Sequence, residues 1–254
     1  MNELNLNESS LQSDEHKNIK KKKPFSLKQF LLNLILVILP IFLILTLVLT
    51  GVRVSKDGYY FNEINDFRGI WHNSSNNVSE IKEKNANFSG WINSDDGKFD
   101  FPIFNGKYQN CSFYIDENCD IESTKNLILH TPQKTNKELI AAVLSFKDIN
   151  FFNRHPSLEV NTDYYKNSYI AFASYYTDTT DFDIYKFNTL DEKDFNKSID
   201  DLLKSSFLKP NFDIKRDDEF LSIILEDKTR DFVVLARKLR EGEKIVFSSN
   251  SKKQ

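Results

Sequence analysis

One almost continuous run of apolar residues stands out near the start of the 254-residue chain, between residues 30 and 50. It is interrupted by Asn33 and Pro40, both of which a membrane helix tolerates. About 20 apolar residues are enough for a helix to cross the hydrocarbon core of a bilayer. The pattern therefore predicts a transmembrane helix over residues 25–51. A cleaved signal peptide is the alternative, but its apolar core is shorter, about 7–15 residues.

Charges on either side of this run predict its orientation. Five lysines lie at positions 17 and 20–23, whereas the far side begins with Arg53 and Lys56. Because positive charge is enriched on the cytoplasmic side of membrane helices, residues 1–24 are predicted to be a cytoplasmic tail. Residues from 52 onward then lie outside the cell, which predicts a single-pass plasma-membrane protein.

Beyond the run, the spacing of apolar residues changes from segment to segment. Between Phe61 and Ile81 they recur at intervals near three, four and seven, which predicts a helix or a helix pair. A further helical face is predicted over residues 136–146. Short alternating or apolar segments predict strands, with a turn signal at residues 95–97. These strand segments are residues 90–104, 112–115, 126–130, 158–162 and 169–175.

The last third of the chain predicts one helix and two strands. Thr189–Glu192 fits a capping box, followed by an apolar face at Phe195, Ile199, Leu202 and Phe207. Residues 220–225 and 232–239 are almost wholly apolar, which predicts strands buried on both faces. The short connection between them favours antiparallel neighbours. Together the segments predict a mostly β fold with a few packed helices.

Composition narrows the possible functions. The chain contains 22 Phe and 10 Tyr, more aromatic residues than a disordered chain carries, so the outer region should fold. A net charge of -3 gives no reason to expect a nucleic-acid partner. No Rossmann or P-loop glycine pattern and no zinc-ligand spacing occur, so we expect no cofactor and no metal. Cys111 and Cys119 either form a disulfide or remain two isolated thiols.

Six short segments follow one another in the part of the chain beyond the apolar run. They are Gly90–Ile92 with Phe99–Ile103, Ser112–Asp116, Asn126–Leu129, Phe151–Pro156, Asp218–Ser222 and Phe232–Val234. In their order and wording these segments resemble class B sortases, the membrane-anchored cysteine transpeptidases of Gram-positive bacteria. The resemblance implies an eight-stranded sortase barrel over residues 89–247, a helical extension over 52–88 and a tail over 248–254.

The catalytic residues that the resemblance implies are absent from their matched positions. A sortase attacks with a cysteine thiolate, transfers protons through a histidine and stabilises the oxyanion with an arginine. The matched positions hold Glu226, Pro132 and Asp231 respectively. A carboxylate is a poor nucleophile there, and proline has no proton to give. Asp227, Arg230 and Asp231 also fit a solvated turn with modest ion pairs.

Displaced candidates keep other functions open. His130 lies two residues before Pro132, Arg230 precedes Asp231, and Cys119 follows the segment that ends at Asp116. We expect an inactive sortase-like protein that binds a sorting-signal peptide, a surface protein or an active sortase. A divergent transpeptidase using Cys119, and a purely structural envelope domain, are the alternatives. His155 is interpreted as a structural residue.

Overall fold

The computed structural model describes residues 26–75, 77–106, 112–132 and 136–244, without the side chains of residues 53–60 and 132. Among them are five α-helices and three short 3₁₀ helices. The α-helices are α1 (Leu27–Asn73), α2 (Asn77–Lys84), α3 (Lys137–Leu144), α4 (Ile149–Arg154) and α5 (Glu192–Ser205), and the 3₁₀ helices are Ser145–Lys147, Thr177–Thr179 and Phe187–Thr189.

Eight strands form one closed barrel in the order β1-β2-β3-β4-β7-β8-β6-β5. The pairs β2–β3 and β4–β7 are parallel, and the other six are antiparallel. The predicted pairing of β7 with β8 is confirmed. The strands are β1 (Phe88–Ser94), β2 (Asp100–Asn105), β3 (Phe113–Ile115), β4 (Asn126–Pro132), β5 (Ser157–Thr162), β6 (Lys166–Tyr176), β7 (Phe220–Glu226) and β8 (Phe232–Lys238).

The barrel is filled by one side of every strand. Alternate residues of a strand point to opposite faces, so residues two apart share a side. On β7, Leu221, Ile223 and Leu225 join the inner cluster to which all eight strands contribute. Phe220 and Ile224 of the same strand belong to a second cluster, which includes three buried residues of α5. The prediction that β7 is buried on both faces is therefore confirmed.

A third apolar cluster lies where the helical region before the barrel meets β1 and β2. Phe67 of α1 and Ile81 of α2 are buried there with Trp91. The indoles of Trp71 and Trp91 stack with ring centroids 5.0 Å apart. The predicted helix pair is confirmed, although Phe61, at the start of its apolar stripe, is exposed.

Residues Leu27–Val52 of α1 are long and apolar enough to cross a membrane, and none of that window is buried in the protein. The lysines at positions 17 and 20–23, on which the predicted orientation depends, lie outside the described residues. The apolar helix at the predicted position is confirmed, because its length and composition are those of a membrane span.

Two details of the predicted helix after residue 189 are wrong. The helix begins at Glu192, and the side chain of Asp191 accepts the hydrogen bond from the Asp194 N–H. The Thr189 hydroxyl instead donates to the Lys186 carbonyl, because residues 187–189 form a 3₁₀ turn of their own. Phe207 lies beyond the end of α5 and is 40% exposed, so it does not extend the buried face.

Candidate functional site

Three adjacent strands bring a polar cluster together at one end of the barrel. Tyr114 of β3 is the register partner of His130 of β4, and their rings stack with centroids 5.2 Å apart. On β7, Glu226 lies opposite Pro132 of β4, two residues beyond the partner of His130. Tyr114, His130 and Glu226 therefore project from the same face, where β4 and β7 extend past the apolar residues that pack with α5.

His130 lies between two carboxylates. Its Nε2 is 2.8 Å from Oδ2 of Asp116, and its Nδ1 is 3.2 Å from Oε1 of Glu226. The contact with Glu226 has the distance of an ion pair but lacks hydrogen-bond geometry. The Tyr114 hydroxyl donates to the same carboxylate of Glu226. The imidazole is 13% exposed, so these contacts form in a largely desolvated setting.

The carboxylates make this end of the barrel electronegative. Burial alone would raise the pKa of Asp116, but hydrogen bonds from Asn118 and His130 outweigh it and hold that pKa below its ordinary value. Burial and the hydrogen bond to Glu226 raise the pKa of Tyr114. Burial, and to a smaller extent the negative charge of Asp116, raise the pKa of Tyr185 to about 12. An anionic transition state would therefore be disfavoured here.

Two of the three displaced catalytic candidates line the same cavity, and the third is not among its lining residues. His130 and Cys119 line one cavity of about 490 Å³. The contacts of Arg230 are with Asp178, 3.5 Å away, and with the ring of Tyr176, whose centroid is 4.0 Å from the guanidinium carbon. These contacts hold Arg230 at the solvent-exposed surface.

Asp231, which is matched to the sortase arginine, has a structural role in the turn between β7 and β8. The side chain of Asp231 accepts a hydrogen bond from the Asp227 N–H, and its own N–H donates to the Thr177 hydroxyl. These hydrogen bonds close a surface turn. The alternative interpretation of Asp227, Arg230 and Asp231 predicted such a turn. Pro132 ends β4 opposite Glu226.

Cys119 is a half-buried free thiol. Its Sγ donates to the Asn126 carbonyl at 3.4 Å. Burial, together with the nearby Asp116, raises the pKa of the thiol. Because the thiolate is the reactive form, this setting suppresses nucleophilic attack. Cys111 lies outside the described residues, so the two alternatives given for this pair, a disulfide or two isolated thiols, both stay predictions.

His155 has a local structural setting, as interpreted from the sequence. Its Nδ1 lies 3.2 Å from Asp95, and its ring packs on Phe151. Asp96 joins this cluster, but its carboxylate already accepts hydrogen bonds from the Ser94 hydroxyl and the Lys98 N–H. These hydrogen bonds stabilise the turn between β1 and β2, and that local role explains why the three side chains lie together.

Sequence reasoning missed Tyr114, Asp116 and Tyr185 as members of the site. The alternation of Tyr114 and Asp116 in the segment before Cys119 places both on one face, which was a usable signal. Their proximity to His130 depends on the β3–β4 register, which local sequence does not specify. Tyr185 reaches Asp116, 3.4 Å away, from the connection between β6 and α5.

Comparison with solved structures identifies the fold as that of class B sortases. The Staphylococcus aureus sortase B–substrate complex matches with a TM-score of 0.61 at 16% identity, over 74% of this chain and 99% of that one. Bacillus anthracis sortase B matches with a TM-score of 0.60 at 17% identity, over 73% of this chain and 99% of that one. Clostridium perfringens sortase B matches with a TM-score of 0.51 at 18% identity, over 64% of this chain and 99% of that one. No family model and no curated protein sequence matches the chain.

Proposed function

We propose that this chain is a membrane-anchored, sortase-like binding protein that holds a peptide without cutting it. The supporting observation is the side chain at the end of β7. By the sequence resemblance, Glu226 is matched to the sortase cysteine, and in the structure it contacts both Tyr114 and His130. A carboxylate held by these groups offers hydrogen-bond acceptors for a ligand. It supplies no thiolate for transpeptidation.

The partner we propose is a sorting-signal peptide, presented by a surface protein or shared with an active sortase. Two structures with this fold support that class of ligand, one a sortase B–substrate complex and the other a sortase B complexed with triglycine. The cavity beside His130, about 490 Å³, leaves space for several side-chain atoms.

The anchor and its orientation belong to the same proposal. Residues 25–51 hold the protein in the plasma membrane of a Gram-positive cell, and residues from 52 onward face the outside. Protease added to intact protoplasts should then remove the outer domain. The intact mass of the membrane-bound protein should still include residues 1–51, which a cleaved signal peptide would have lost.

Binding and cleavage are separated by one experiment on the full chain in mild detergent. Labelled sorting-signal peptides should bind saturably, and mass spectrometry should show every peptide intact. Glu226→Ala should weaken binding about tenfold, the effect of losing one charge-assisted hydrogen bond to the carboxylate. Glu241→Ala, an exposed change after β8, is the matched control and should leave affinity unchanged.

A divergent transpeptidase is the second candidate, because Cys119 and His130 line the same cavity. It predicts a cleaved or enzyme-linked peptide that disappears in the Cys119→Ala variant. Such a product would overturn the binding proposal. Absence of both binding and cleavage would instead favour the structural envelope domain.

A further inference from the structure

Two neighbouring cavities, one of them the cavity beside His130, share lining residues. A second cavity, of about 450 Å³, shares Asn105 and Cys119 with the first as common lining residues. Each volume falls within the range of about 300–1,000 Å³ that is usual for ligand sites. We call the two cavities together the acidic groove.

Carboxylates dominate the charge of the acidic groove. Among its described lining residues, five are acidic; the lysine at position 82 pairs with one of them, Asp163, which leaves four carboxylates that no lysine or arginine of the lining neutralises. Glu117, Asp120 and Glu122 are exposed to solvent. The acidic residues are Asp116, Glu117, Asp120, Glu122 and Asp163.

Two exposed tyrosines provide an independent indication of the ligand. Tyr164 lines the second cavity and is 60% exposed, and its hydrogen bond to Glu122 raises its pKa. Tyr185 is 49% exposed and, although it is not a lining residue of either cavity, it contacts Asp116 of the first. Aromatic faces beside carboxylates bind ammonium and guanidinium groups through combined ionic and cation–π attraction.

We propose that the acidic groove binds a polypeptide segment carrying lysine or arginine side chains. This inference extends the proposed function, since the acidic groove begins at the same cavity beside His130. Charge complementarity selects a basic segment over a neutral or acidic one. Two adjacent cavities, each with exposed carboxylates in its lining, favour a segment of several residues over a single amine.

The test measures fluorescence anisotropy of labelled peptides with the full chain in uncharged detergent. A hexapeptide of alternating lysine and glycine should bind at least about fivefold more tightly than its glutamine counterpart, and a glutamate counterpart should bind more weakly still. Raising the salt concentration should reduce this preference, because exposed charges are screened. Equal affinity for the lysine and glutamine peptides would overturn the proposal.

A pair of variants locates the binding surface. Glu117→Gln with Glu122→Gln should weaken lysine-peptide binding about three- to tenfold, since each removes one charge but keeps the side-chain size. Glu192→Gln with Asp200→Asn, exposed on α5, is the matched control and should change affinity less than about twofold. Equal losses in the two double variants would show diffuse attraction and refute the acidic groove as the site.

The two proposals fail separately. If sorting-signal peptides do not bind but the lysine peptide binds and responds to Glu117 and Glu122, the proposed function falls and the acidic groove stands. If sorting-signal peptides bind and the lysine peptide shows no preference, only the acidic groove is refuted.

Discussion

Arg237 of β8 is a fully buried cation at the outer wall of the barrel. Its side chain is 0% exposed, and it donates to a carboxylate oxygen of Glu243 at 2.8 Å and to the Asp213 carbonyl at 3.1 Å. Its guanidinium also lies over the ring of Phe212, 4.6 Å from the centroid. These contacts fasten the segment before β7 and the turn after β8 to the same strand.

The ion pair with Arg237 predicts a specific pH dependence. Hydrogen bonds from Arg237 lower the pKa of Glu243 from 4.5 to about 2. Because the folded pKa lies below the unfolded one, the stabilisation is complete above about pH 4.5 and is lost as the pH falls towards 2. Glu243→Gln should therefore lower the Tm at pH 7 and flatten its decline between about pH 5 and pH 3.

Thermal unfolding followed by circular dichroism across this pH range checks the effect. Glu241→Gln is the control, since this residue is exposed two positions earlier in the same turn. A Glu243→Gln profile parallel to that of the unaltered protein would contradict the assignment.

Capping at α5 shows how a single polar residue defines an element. Asp191 accepts the N–H of Asp194, which leaves the Thr189 hydroxyl to a separate turn. Asp191→Ala should reduce the free energy of unfolding by about 1 kcal/mol, the usual cost of losing an N-cap. Thr189→Ala should cost less, and chemical denaturation of both variants compares them. The reverse order would restore the capping box predicted from the sequence.

The sequence pattern predicted individual helices and strands better than it predicted which strands pair in the sheet. Strands such as β7 and β8 were recognisable because continuous apolar runs and a short connection are local signals. The site could be predicted only in part. His130 and Glu226 were identified by position, but their contact depends on a parallel pairing of β4 with β7, which lie far apart in the chain. Long-range register of this kind is set by the packing of the whole barrel.

Closure of the barrel depends on the close approach of β1 and β5. A Cβ atom at Gly90 would lie 2.6 Å from the carbonyl oxygen of Asn161, which is a backbone atom of the strand paired with β1. Gly90→Ala should therefore destabilise the fold by at least about 2 kcal/mol, since strands must separate to admit the methyl group. Denaturation of the full chain, followed by the fluorescence of buried Trp91, measures this loss.

Gly69 provides the matched control for that substitution. It lies on α1, where an added Cβ meets no atom within 4 Å. Gly69→Ala should stabilise the fold by about 0.5–1 kcal/mol, because alanine favours the helical backbone. Similar effects at the two glycines would contradict the proposed clash between β1 and β5.

The position of the β7–β8 pair within the barrel has a consequence for how the molecule assembles. These two strands lie between β4 and β6, pairing with one on each side. During synthesis, both of those strands keep an unpaired edge until residues 220–238 emerge, and exposed edges invite pairing with other chains. The β7–β8 hairpin thus closes the barrel. A chain interrupted before this hairpin would be left as an open sheet whose exposed edges associate with other chains.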